Sequence, residues 1–129
     1  MIQNEREIRH EHVLEAVRQM MTAARTAPKG KGIDIIEIAM VTGEDIQRLS
    51  DEMLKLAAET GFKFILRDAD NILSAEAIVI LGTRQQVQGL NCAHCGFETC
   101  VEKPAEVPSA NNSVDLGNAI GSASSTASD

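Results

Sequence analysis

Every thiol of the chain falls inside NCAHCGFETC, Asn91 to Cys100, where Cys92, Cys95 and Cys100 stand at C-x2-C-x4-C spacing. Cysteines used as small apolar core residues have no cause to crowd into one short stretch, so the clustering points to a ligand held in common. A short bend can present several thiolates to an iron-sulfur cluster when its spacers are small and turn-forming, and Gly96 directly after the second cysteine meets that need. Backbone N-H groups in such a bend can form a concave nest that offsets the cluster's negative charge. Two other readings stand beside this one: unligated thiols packed as small apolar groups, and a Cys3His zinc site drawing on His94, His10 or His12. Structural zinc sites usually join two separated ligand pairs, whereas these ligands lie on one loop. No cysteine follows Cys100. A four-iron cluster therefore needs a fourth ligand from Ser109, a histidine, an outside molecule or a partner chain, and a three-iron cluster is the other option.

A second candidate is the basic, glycine-containing run APKGKG. Arg25, Lys29 and Lys31 around Gly30 and Gly32 could grip a phosphate through charge-assisted hydrogen bonds; the plain alternative is a solvated loop whose cations offset an acidic chain. The run is not a Walker loop, because G-x4-G-K-[ST] is absent. Asp34 and Glu37 interrupt an apolar stretch, for which exposure at a strand edge or end is the simpler account. Met20 and Met21 read as core filler. Neither a Ser-His-Asp nor a Cys-His catalytic set can be assembled once the cysteines go to a shared ligand.

The elements that must position these residues follow from hydrophobic periodicity. Val13, Val17, Met20, Met21 and Ala24 recur at three- and four-residue steps, predicting a long amphipathic helix over Glu5 to Arg25 that ends before Pro28. Ile33 to Val41 is β-branched and nearly all apolar, as a strand buried on both faces should be. Thr42 is placed to cap a helix carrying Ile46, Leu49, Met53, Leu56 and Ala57, which Gly61 ends. Phe62 to Leu66 reads as a short strand, RDADNILSA as holding a helical turn, and Ala77 to Leu81 as a buried strand. The last residues, rich in Ser, Ala and Gly, read by composition as a flexible tail. The expectation is one α/β (α+β) domain over 1–129: a core at 1–88 with a mixed sheet flanked by helices, a cysteine loop at 89–103, and a C-terminal segment at 104–129 with helical character over 113–124.

Composition bounds the partners. With 129 residues, no Trp or Tyr, three Phe and a net charge of −7, the core must be aliphatic, and both base stacking and attraction to a polyphosphate backbone are disfavoured. The start MIQNEREIRHEH lacks the apolar region of a secretion signal, and no apolar run approaches the roughly 20 residues that span a bilayer. The chain is expected to be cytoplasmic, with no nucleic-acid or membrane partner.

NEREIRHEHVLEAVRQMMTAARTAPKGKGIDIIEIAMVTGEDI, FILRDADNILSAEAIVILGT, GLNCAHCGFETCVEK and VPSANNSVDLGNAIGSA resemble, in that order, a bacterial and archaeal family of uncharacterised proteins described as containing a ferredoxin domain. The cysteine loop is similar to the C-x2-C-G-x3-C portion of small four-iron, four-sulfur domains in electron-transfer subunits. This resemblance implies a 4Fe-4S or 3Fe-4S cluster on Cys92, Cys95 and Cys100, with electron transfer to a redox partner protein or a small-molecule acceptor. In the family a fourth cysteine precedes the segment matching NNSVDLGNAIG, and Ser109 stands in that place here. Family members also continue past SASSTASD into a further strand and helix, so the chain reads as C-terminally shortened. A fainter likeness reaches the flavin-dependent nitroreductases: AARTAPKGKGIDIIEIAMV has the order of their first helix, loop and strand, NILSAEAIVIL is similar to their next core strand, and SVDLGNAIGSA to the small-residue helix at their dimer centre. It implies a nitroreductase-like fold, FMN near Arg25, Lys29 and Lys31, and a homo-oligomer. Arg6 and Arg9 do not match the paired arginines those enzymes use for flavin phosphate. The functions in view are thus an iron-sulfur electron carrier, linked to a flavin reductase activity, and a non-enzymatic interaction module stapled by zinc or a cluster.

Overall fold

The computed structural model describes residues 1–129. It is an α+β structure with four helices, α1 (Glu5–Thr26), α2 (Glu44–Thr60), α3 (Lys63–Asn71) and α4 (Ala110–Ser128), and two strands, β1 (Ile36–Thr42) and β2 (Ala77–Thr83), paired as an antiparallel sheet. The mixed α and β content expected from sequence is present, and the sheet is limited to these two strands. The chain divides into two compact units, Met1–Val17 with Met40–Ile80, and Arg18–Ala39 with Leu81–Asp129.

In the first unit α2 and α3 form a helical pair. Gly61 ends α2 in the left-handed region (φ 74), its N-H donating to the Ala57 carbonyl at 2.8 Å, a turn for which glycine is favoured because it lacks a Cβ. Ile46, Ala57, Ile65 and Ala69 are buried, and the buried Ser50 hydroxyl donates to the Ala69 carbonyl at 2.7 Å. The strand expected at Phe62 to Leu66 is instead the opening of α3. FKFIL carries apolar groups at nearly every position, so its own pattern does not separate the two periods. The deciding spacing is Ile65 to Ala69, four residues apart and both buried, while Phe62, Phe64 and Leu66 remain exposed. Thr42 is likewise not a cap: it is the last residue of β1, and Gly43 (φ 60) occupies the N-cap position. Glu44 and Asp45 then favour the positive end of the helix dipole.

The second unit holds every residue of the cysteine loop. Its core is Ala24, Ile36, Ala119 and Ala123, against which Met20, Ile38, Leu81 and Leu116 pack. Ala119 and Ala123 lie four apart on one face of α4, and with Ala24 their small side chains form the buried centre of this cluster. This alanine stripe is why the Ser/Ala/Gly-rich segment is a helix over Ala110–Ser128, longer than the 113–124 expected and not a loose tail. The β1 strand is shorter than expected and is not covered on both sides: Ile36 is buried and Ile38 and Met40 partly so, while Glu37 and Ala39 alternate with them and are exposed. Alternation of this kind belongs to an antiparallel sheet with one face packed.

Candidate functional site

The path from β2 to α4 is long and irregular, so it must be held by side chains. Asn112, in the first turn of α4, binds Gln86 twice through the backbone: the Gln86 N-H donates to Asn112 Oδ1 at 3.1 Å and Asn112 Nδ2 donates to the Gln86 carbonyl at 2.9 Å. Gln88 is buried, its Nε2 donating to the Ile33 carbonyl (3.1 Å) and to Asp115 Oδ2 (3.0 Å), while its Oε1 accepts from the side chains of Asn111 and Asn112. Both oxygens of the buried Asp115 carboxylate accept from the Gly30 N-H, at 3.0 and 3.1 Å. Polar groups hidden from water are costly unless paired, and these are paired. A methyl group at position 30 would lie 2.4 Å from Asn111 Nδ2 and 2.9 Å from Leu90 Cδ1, so this close approach requires glycine.

Beyond this anchored stem the backbone turns sharply. Gly89 (φ 71), Asn91 (φ 51), Ala93 (φ 63) and Gly96 (φ 93) all occupy the left-handed region, and two of them carry a Cβ that disfavours it. Asn91 clasps the loop: its N-H donates to Cys100 Sγ at 3.3 Å and its Oδ1 accepts from the Cys100 N-H at 2.8 Å. At the entrance to α4 the Ala110 N-H donates to Cys95 Sγ at 3.1 Å. Cys92 is exposed, and Cys95 and Cys100 are half-buried. The three cysteines line one hollow together with Phe97, Lys103 and Ser109. Ser109 is the N-cap residue of α4, yet its hydroxyl makes no cap hydrogen bond.

The donor set suits a thiolate-held cluster: three sulfurs from one loop, N-H donors on two of them, and a hydroxyl on the same wall. The hollow encloses about 20 Å³, on the scale of a single water. A group as large as a cluster would therefore have to sit at its mouth or open the loop around it. For a mononuclear zinc, donors must meet at about 2.0–2.3 Å from one point, and no three His, Cys, Asp or Glu side chains are placed to hold one ion. His94 is exposed.

The basic loop is engaged with its own fold. Lys29 has a side chain only 3% exposed; its ammonium donates to the Ala24 and Arg25 carbonyls at 2.7 and 2.6 Å, satisfying the end of α1, and lies 3.5 Å from Asp34. Arg25 donates to the Ile36 carbonyl at 2.8 Å and pairs with Asp34 at 3.1 Å. Partial burial raises the Asp34 pKa, but the Ile36 N-H, Arg25 and Lys29 outweigh it and hold the carboxyl below the usual range. Lys31 alone reaches the cysteine loop, donating to the Gly89 carbonyl at 3.0 Å. Exposed Glu37 pairs with Arg84 at 2.6 Å.

The cysteine cluster is readable from spacing and Ser109 is implied by the family resemblance, whereas nothing in the sequence reading singles out Asn91, Gln88, Lys103, Asn112 or Asp115. One available signal was Asn111, Asn112 and Asp115 at the start of an otherwise small-residue helix, where Asn112 and Asp115 share a face.

Fold and site thus define an α+β protein whose cysteine loop is seated on the first turns of its last helix. The chain is similar to an uncharacterised protein of Archaeoglobus fulgidus, with 39% identity over 133 aligned positions covering 95% of this chain and 72% of the archaeal one. It belongs to the same family as that protein. No family model and no solved structure matches the chain. No helix is long and apolar enough to cross a membrane.

Proposed function

We propose that the protein carries an iron-sulfur cluster and serves in electron transfer, with Cys92, Cys95 and Cys100 as ligands and Ser109 in the fourth position. The supporting observation is that these four side chains line one hollow in which backbone N-H groups donate to two of the sulfurs. When bound, the cluster supplies one-electron chemistry; N-H donors to its thiolates favour the reduced, more negative state and so raise its potential. Asn91 fixes Cys100 from both sides, and α4 presents its Ala110 N-H to Cys95. A redox partner protein or a small acceptor would meet the loop at exposed Cys92. FMN is a weaker part of this reading, because Arg25 and Lys29 already have internal partners and only Lys31 stands at the cysteine loop.

The test is iron, sulfide and zinc quantification of anaerobically purified protein, with a visible spectrum before and after dithionite. Brown protein with absorbance at about 400 nm that bleaches on reduction is expected of a thiolate-held cluster. Cys95→Ser should remove that absorbance and leave the fold intact, since the buried cluster of Ala24, Ile36, Ala119 and Ala123 lies apart from the loop. Colourless protein with stoichiometric zinc would favour the interaction module. Protein without either metal would leave three ordinary thiols.

A further inference from the structure

The cysteine hollow shares a wall with a second cavity. Val87, Lys103 and Ser109 line both, and the second is much the larger at about 280 Å³. Gln85, Gln86 and Asn112 add polar groups to its lining. Its size approaches the roughly 300 Å³ at which small-molecule sites begin.

Lys103 is the group in this wall that the fold leaves without a carboxylate. It is half-buried in a chain of net charge −7, yet it takes part in none of the chain's ion pairs. Its ammonium is tethered by the Pro104 carbonyl (3.1 Å) and the Val107 carbonyl. Lys29 offers an internal comparison. It too is tethered by two carbonyls, but there Asp34 approaches to 3.5 Å and balances the charge. At Lys103 the protein supplies no such anion, although an ammonium has three N-H donors and two carbonyls engage only two. Ser109, whose hydroxyl is free of capping duty, borders the same cavity.

We propose that this second cavity is a binding site for a small carboxylate, its charge on Lys103 and its far end against Ser109 at the border with the cysteine hollow. Lys103 is the cation of the lining, and no arginine fork of the kind that favours phosphate lines the cavity. The amides of Gln85 and Gln86 suit oxygen acceptors. The cavity, about 280 Å³, lies at the lower end of the small-molecule range and so suits a small acid. What the ligand meets beyond Ser109 depends on the iron-sulfur reading; the site itself does not.

Malonate, with a carboxylate for each end, is the probe. Calorimetric titration should show binding to the wild-type protein, weakened about tenfold or more in Lys103→Gln by loss of a charge-assisted hydrogen bond, and retained in Lys103→Arg. Because Lys103 also ties the loop, Ala105→Trp serves as a second variant: it fills the cavity from a position that lines only that cavity, and should also weaken malonate about tenfold. In protein that contains iron, malonate should shift the electron paramagnetic resonance of the reduced state, and Ser109→Cys should remove the shift while malonate still binds. Wild-type protein that fails to bind malonate, binds inorganic phosphate as well, or is unaffected by both Lys103→Gln and Ala105→Trp overturns the proposal. Protein without iron would refute the electron-transfer reading alone, since the titration still decides the carboxylate site.

Discussion

Gly30→Ala tests the claim that the cysteine loop is seated by a close-packed polar junction. The added methyl would lie 2.4 Å from Asn111 Nδ2 and 2.9 Å from Leu90 Cδ1. Asn111 cannot withdraw freely, because its Nδ2 donates to Gln88 Oε1, and the Gly30 N-H is itself held by both oxygens of Asp115. Overpacking of this kind costs about 1–3 kcal/mol, and losing the Asn111–Gln88 bond adds about 1 kcal/mol. A total near 2–4 kcal/mol is expected in urea unfolding monitored by circular dichroism. Gly32→Ala is the control, because a methyl there meets open space and pays only for a left-handed backbone at φ 68, about 1–2 kcal/mol. Asn111→Ala should relieve the Gly30→Ala clash, so that the double variant is less destabilised than the sum of the singles. If Gly30→Ala lies within about 0.5 kcal/mol of wild type, or the two substitutions simply add, the junction is not tightly packed and the reasoning fails.

Asp34 supplies a pH test: its folded pKa lies below the unfolded value of about 3.9, so its contribution is present above that pH and disappears as pH falls through the folded value. Asp34→Asn should flatten the wild-type loss of urea midpoint between pH 5 and about 2, and equal losses in both proteins would contradict the assignment. Ala93→Gly should stabilise the chain by about 0.5–1 kcal/mol in thermal unfolding, by relieving a methyl-bearing residue at φ 63 at some cost in unfolded-state entropy; a loss of stability would mean the backbone there is not strained. Ser50→Ala should cost about 1–3 kcal/mol, since it strands the buried partner of the 2.7 Å bond to the Ala69 carbonyl. A neutral result would show that water reaches that carbonyl.

Much of this arrangement was legible in the sequence where one force dominates. The α1 stripe from Val17 through Met20 to Ala24 and the Gly61 stop of α2 follow from periodicity and backbone sterics, and both match the structure. The second strand begins at Ala77 as its β-branched run suggests, but it is only partly covered and Ile80 is exposed, so the expected full burial is not found. Phe62 to Leu66 was misread because a five-residue apolar run has no distinct period, and the Ile65–Ala69 contact face becomes visible only once the helix is followed to Asn71. The C-terminal helix was under-read because composition ignores that Ala119 and Ala123 fall on one face. At the site, cysteine spacing points to a ligand held in common, but long-range hydrogen bonds such as Gly30 to Asp115 leave no local pattern.

The cysteine loop stands on two fixed feet: Gln86 and Gln88 at its start and Ser109 to Asn112 at its finish are tied to the same turn of α4. Closure is therefore set by the feet and by the Asn91–Cys100 clasp, and for the flexible span outside that clasp each doubling costs only about 0.6 kcal/mol. Residues inserted beside exposed Val101 and Glu102 should be accepted with little penalty. The same footing would let related chains vary the arch, and whatever docks upon it, while the helical pedestal beneath stays unchanged.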